Sequence, residues 1–143
     1  MIFCDTSTIA KLYVPEAESA AVRNRFGGEV EVFASELARA EIMGVFHRRL
    51  REKRWSRADY QVAVRQFTAD DIVGFYTWLP LDSAIIDAAV KTFATLPDTV
   101  FLRSADCLHI VTAQRHGFGE IHTHDTRQAA AAAAIGMKAT IVT

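Results

Sequence analysis

The chain has little cysteine: Cys4 and Cys107 are its only two in 143 residues, each among apolar neighbours and neither in a CxxC pair. That excludes a disulfide framework and a thiolate zinc site, and it fits buried, reduced thiols in a cytoplasmic protein. There is no surplus of one charge either, since 16 basic residues face 17 acidic ones for a net charge of -1. A general attraction to nucleic acid or membrane is thereby excluded, so any polyanion must be met by a local patch or a metal ion. No apolar run approaches the length of a membrane span, and "MIFCDTST" lacks a basic leader and meets an acid at Asp5. Both features argue against insertion and secretion. No linker or repeat interrupts the chain, and six alanines from Ala129 to Ala134 are its one low-complexity stretch. With half of its residues hydrophobic, the sequence is expected to form one domain, residues 1–143, around one core.

What is present is an alternation of short apolar runs and amphipathic stretches. "MIFC" predicts a buried strand, "TSTIAKLYVPE" a brief helix stopped near Pro15, and "EAESAAVRNRF" a helix closed by Gly27 and Gly28. "EVFA" predicts a second strand and "SELARAEIMGVFHRRLREKRW" a long helix capped by Ser35. Another capped helix is expected from Ser56 to Gly74, after which "FYTWLPL" permits a strand or a buried connection. Asp82 is the expected cap of "SAIIDAAVKTFATL", which Pro97 breaks, and Ser104 that of "ADCLHIVTAQRHG". The chain closes with a strand in "EIHTH", an alanine helix and a strand in "ATIVT". Asp125 suits the N-cap of the alanine helix, with Gln128 completing a capping-box pattern. This order implies an α/β fold: a central, mainly parallel sheet of four to five strands with helices on both faces. Ligands of such sheets bind beyond the carboxyl ends of the strands, where Asp5 and Asp125 both fall.

Two further acids stand out by position. Glu41 lies at the margin of the apolar stripe made by Leu37, Ala38, Ile42, Val45 and Phe46, so its carboxylate is expected to point toward the protein as readily as toward water. Asp106 sits in the first turn of a helix that is apolar nearly all round, where an acid also complements the helix dipole. If the four acids converge, their repulsion decides the chemistry. Two like charges about 4 Å apart repel by about 4 kcal/mol at an effective dielectric of about 20, so the cluster must protonate or bind cations. A set of carboxylates without soft ligands favours magnesium or manganese over zinc. Such ions activate water and stabilise a leaving oxygen in phosphodiester hydrolysis.

Four blocks in this order, "MIFCDTSTIAKLYVPEAES", "FASELARAE", "LRSADCLHIVTA" and "THDTRQAAAAAAIGM", resemble the PIN domain, in particular the VapC-like toxin ribonucleases of bacterial toxin–antitoxin pairs. The resemblance spans essentially the whole chain. It implies a three-layer fold, a magnesium- or manganese-dependent endoribonuclease site, an RNA substrate, a cognate antitoxin and a homodimer. In that pattern Asp5, Glu41, Asp106 and Asp125 match the four acids, as metal ligands and catalytic residues, and Thr123 matches a hydroxyl position that supports them. At His124 the sequence departs from the family, where an aromatic such as Tyr is frequent.

Other features carry less. His122 and His124 would share one strand face and could ligate zinc, but no third ligand is evident nearby. His109 is expected to pack within its apolar helix. "HRRLREKRWSR" is expected to be a solvated helix end, while Arg48, Arg49, Arg51 and Arg54 could alternatively hold RNA phosphates with Trp55 stacking on a base. A non-catalytic PIN-like module that binds protein or RNA is the rival reading, and retention of all four acids speaks against it. A phosphoaspartate receiver would need a lysine near a late strand end, which "EIHTHD" does not offer.

Overall fold

A computed structural model describes residues 1–143, with five strands and seven α-helices. The first half runs β1 (Ile2–Phe3), α1 (Thr6–Ala10), α2 (Ser19–Phe26), β2 (Val32–Ser35), α3 (Leu37–Arg51) and α4 (Arg57–Ile72). The second half runs β3 (Tyr76–Leu79), α5 (Ser83–Thr95), α6 (Ser104–Arg115), β4 (Glu120–His122), α7 (Thr126–Ala134) and β5 (Lys138–Thr140). "FYTWLPL" is thus a strand.

Every strand pairing is parallel. One ladder has the order β1-β2-β3 and a second pairs β4 with β5, so the sheet is built as three strands plus two rather than as one continuous ladder of four to five. A single parallel bridge between Cys4 and His122 joins them, reinforced by the Asp5 N–H donating to the His122 carbonyl at 3.0 Å. Across the bridge the spatial order is β3-β2-β1-β4-β5. The chain therefore winds from β1 to one side, returns, and winds to the other, which makes the β1/β4 junction the topological switch point where a parallel sheet opens its crevice.

Strand residues alternate between two covered faces, as expected where a parallel sheet is buried on both sides. Ile2, Cys4, Val32 and Ala34 join Ile9, Val22, Ile42, Phe46 and Phe67 in a core beneath α1–α4. Phe3 turns the other way and meets Ile110, Ala113, Ile121, Ala131 and Ala132 beneath α6 and α7. Small alanines let α7 lie close, and it ends in a Schellman turn: Gly136 at φ +82 donates to Ala133 and Met137 to Ala132.

Some expected caps are displaced. Ser35 is the last residue of β2 and Glu36 occupies the N-cap of α3, although the Ser35 hydroxyl still accepts the Leu37 N–H at 3.3 Å. Arg103, not Ser104, is the N-cap of α6 and makes no side-chain cap bond. The last strand begins at Lys138 and ends at Thr140, because Lys138–Thr140 pairs with Glu120–His122. Asp125 does cap α7, receiving the N–H groups of Arg127 and Gln128, but Gln128 does not reach back to it. Its amide donates to the Asp106 carbonyl at 3.5 Å, and the Asp125 N–H is taken by the Thr123 hydroxyl.

Candidate active site

Asp5 follows Cys4, the bridge residue just past β1, and caps α1, accepting the Thr8 N–H at 3.1 Å. The Thr123 hydroxyl donates to it from across the switch point at 2.6 Å, and the Ser7 hydroxyl lies 2.7 and 2.9 Å from its two oxygens. The residue is 2 % exposed. Burial pushes its carboxyl above the ordinary value, against the opposing pull of the His109 charge and of these donors.

Glu41 reaches the same region from α3. Ala38, Ile42 and Phe46 form the buried face of that helix, and Glu41 sits at its edge, half-buried. Its carboxylate accepts from the Thr6 hydroxyl at 2.9 Å and lies 2.5 Å from His109 Nε2. An ionised carboxylate only accepts, so Nε2 carries a proton toward it. His109 Nδ1 is buried and has no hydrogen-bond partner. Burial pushes the Glu41 carboxyl up, but the bonds from His109 and Thr6, with the nearby charges of His109 and Arg103, outweigh it and leave the group below its ordinary value.

The remaining two acids are joined by a cation. Arg103 Nε and Nη2 contact the Asp106 carboxylate at 2.7 and 3.3 Å, and Nη2 also donates to Asp125 at 2.8 Å. Asp106 is 8 % exposed in the first turn of α6. The other Asp125 oxygen accepts the Arg127 and Gln128 N–H groups at 2.8 and 3.2 Å.

Asp5, Glu41, Asp106 and Asp125 all line one cleft of about 540 Å³ at the carboxyl ends of the strands. The structure thus brings together acids spread over 120 residues of sequence. They do not crowd into one point: no group of three or more acidic, histidine or cysteine side chains stands ready around a single ion position. The expected repelling cluster is spaced by Arg103 and His109, which supply charge and hydrogen bonds from within the chain. Thr123 bonds Asp5 through its hydroxyl and takes the Asp125 N–H, so it ties two of the acids to each other.

Among the arginines, Arg48 and Arg49 line the cleft while Arg51 and Arg54 do not. Arg49 pairs with Glu16 at 2.8 Å. Arg51 and Arg54 turn to Glu52 at 3.7 and 3.6 Å. Trp55 packs on Phe46 with ring centroids 5.6 Å apart and has the Arg49 guanidinium 5.9 Å from its ring, so it belongs to the margin of the core. The histidine pair does not form a zinc face. β4 ends at His122, and His124 lies beyond it with Nδ1 2.9 Å from the Thr8 hydroxyl and Nε2 2.9 Å from the Val142 carbonyl.

Two residues of the cleft go beyond what the sequence pattern suggests. His109 does not simply pack within an apolar helix, and Arg103 joins the site although it is not one of the matched acids. The available signal is their spacing of three residues on either side of Asp106, which puts both beside it on a helix.

An all-parallel sheet with four carboxylates gathered at its switch point defines a recognisable class, and residues 2–134 match the family model described as PIN domain. The chain belongs to the PIN domain family. It is 35% identical to Ribonuclease VapC46 of Mycobacterium tuberculosis over 138 residues, covering 95% of this chain and 93% of that protein. Two solved structures share the fold. Mycobacterium tuberculosis VapC20, described as a sarcin-ricin loop cleaving toxin, superposes with a TM-score of 0.72 at 16% identity and 96% coverage of both chains. FitAcB from Neisseria gonorrhoeae gives 0.75 at 18% identity, covering 97% of this chain and 96% of that one.

Proposed function

We propose that the protein is a VapC-like toxin ribonuclease, an endoribonuclease that hydrolyses RNA phosphodiester bonds in the four-acid cleft with a divalent ion, Mg2+ or Mn2+. The observation that carries this reading is the convergence of Asp5, Glu41, Asp106 and Asp125 on one cleft, in a chain 35% identical to a ribonuclease along nearly its whole length.

The donor set fits such an ion: the carboxylate oxygens are hard ligands, and both cysteines are buried outside the cleft. Asp5 and Asp106 are its principal ligands, with Asp125 and Glu41 binding directly or through water. When bound, the ion lowers the pKa of a water and neutralises charge on the leaving oxygen.

The chain's own residues prepare the site. Ser7, Thr8 and Thr123 fix the Asp5 carboxylate in one orientation, which removes the entropy cost of ordering it when the ion binds. His109 holds Glu41 ionised on the cleft wall, where it can orient the attacking water. Arg48 and Arg49 on the cleft wall hold flanking phosphates of the RNA. The same reading brings a cognate antitoxin that covers the acids, a homodimer, a cytoplasmic location and action of residues 1–143 as one unit.

Cleavage of defined RNAs with magnesium, with manganese and with a chelator tests this, comparing the parent with Asp5→Asn and Asp106→Asn. The chelator is expected to abolish cutting, and each variant to lose about a hundredfold or more of the rate, the scale on which a removed electrostatic stabiliser acts. Folded variants that cut as fast as the parent would overturn the catalytic assignment of these acids, and a parent that cuts no RNA with either ion would leave the non-catalytic binding module as the better reading.

A further inference from the structure

Arg103 is the one cation that contacts two of the four acids. Its guanidinium bridges α6 and α7 by meeting both Asp106 oxygens and one Asp125 oxygen. Asp125 is tied by its capping bonds, and Asp106, whose carboxylate has Arg103 as its one hydrogen-bond partner, is nearly buried. The arginine side chain is the free member of the trio, 49% exposed against 11% for Asp106 and 28% for Asp125. It can leave toward solvent, whereas the acids cannot follow it.

We propose that Arg103 is a tethered counter-ion of the site, which holds Asp106 and Asp125 together when no divalent ion is bound and competes with that ion for the same carboxylate oxygens. This rests on the divalent-ion reading above and adds to it a residue that sets how tightly the ion binds. The physical reason is occupancy. Three of the four oxygens of these two carboxylates face the guanidinium, and a positive charge within hydrogen-bond distance of both acids opposes the entry of another cation.

A competitor and a structural brace give opposite signs in one measurement, so Arg103 is a positioning residue whose role can be separated from mere support. Removing a brace weakens both the ion-free fold and ion binding. Removing a competitor weakens the ion-free fold and strengthens ion binding.

The experiment is calorimetric titration of ion-free protein with Mn2+ and with Mg2+, and thermal unfolding with and without the ion, for the parent, Arg103→Ala and Arg103→Lys. Arg103→Ala is expected to lower the ion-free unfolding midpoint, to bind Mn2+ about tenfold more tightly, within the range of measured couplings between close charges, and to show the larger ion-induced rise in midpoint. Arg103→Lys keeps a charge but cannot fork to both carboxylates, so it falls between, and it carries the test if the alanine variant does not fold. Unchanged or weaker Mn2+ affinity in these variants, with the parent still binding the ion, overturns the competition alone. A parent that binds neither ion overturns the divalent reading itself and the competition with it.

Discussion

Glu41 and Asp5 line the same cleft but carry opposite pH signatures. The Glu41 carboxyl lies below its ordinary value of 4.5 in the folded chain, because the His109 and Thr6 bonds and the nearby cations outweigh its burial. Folding therefore favours its ionised form. The stability this contributes is complete above pH 4.5 and is lost as the pH falls through and below that value. Asp5 is raised above 3.8 by burial, so folding favours its protonated form, and its ionisation works against the fold as the pH climbs above 3.8. Thermal unfolding of ion-free parent, Glu41→Gln and Asp5→Asn across the acid range reads both signs. Glu41→Gln is expected to be less stable than the parent near neutrality and to draw level as the pH falls below 4.5. Asp5→Asn is expected to gain on the parent as the pH rises from 3.8 upward. Parallel curves for all three proteins would mean that neither carboxyl is perturbed by its surroundings.

The helices owe their positions to caps that are local in sequence. Ser56 accepts the Asp59 N–H at 3.1 Å and the Asp59 carboxylate accepts the Ser56 N–H at 2.9 Å, a complete capping box at the start of α4. Ser56→Ala is expected to cost about 1 kcal/mol, read as a lower denaturant midpoint. No residue of α4 lines the cleft, so RNA cleavage at ambient temperature should be unaffected; a loss of activity in the folded variant would mean that α4 does more than cover the core. Caps of this kind, at Ser56, Asp82 and Asp125, are legible in sequence because donor and acceptor lie within three residues. β3 cannot be told from a buried connection by pattern, since Tyr76 and Leu79 are buried while Thr77 is exposed and Trp78 packs beside Tyr76, a run too short to show a period. The Gln128 amide departs from the capping-box expectation for a different reason. Its partner, the Asp106 carbonyl, lies 22 residues away, and nothing local announces such a bond. The same holds for Arg103, whose spacing to Asp106 is visible but whose second bond, to Asp125, exists only once α6 and α7 are packed. The four acids are legible because each sits at an element boundary or stripe edge that the sequence pattern locates.

Splitting the sheet into three strands and two, joined at Cys4 and His122, places the crevice between the two ladders and draws Asp5 from one and Asp125 from the other. α3 and α6 flank that opening and add Glu41 and Asp106. Because α3 continues past Glu41, its later turns carry Arg48 and Arg49 along the same cleft wall, while Arg51 and Arg54 end up 65% exposed beside Glu52. With a net charge of -1, the molecule offers RNA no general attraction, so on the proposed function binding depends on these few cations and on the ion proposed for the acids. Binding of a short single-stranded RNA to parent, Arg48→Ala/Arg49→Ala and Arg51→Ala/Arg54→Ala, followed over a range of salt, tests the division. The first pair is expected to weaken binding and to flatten the salt dependence by about 0.7 in log–log slope for each phosphate that is no longer neutralised. The second pair is expected to leave the slope unchanged. If the second pair flattens it as much as the first, RNA follows the exposed helix end instead of the cleft wall, and the path from Arg48 and Arg49 to the acids is not the one the substrate takes.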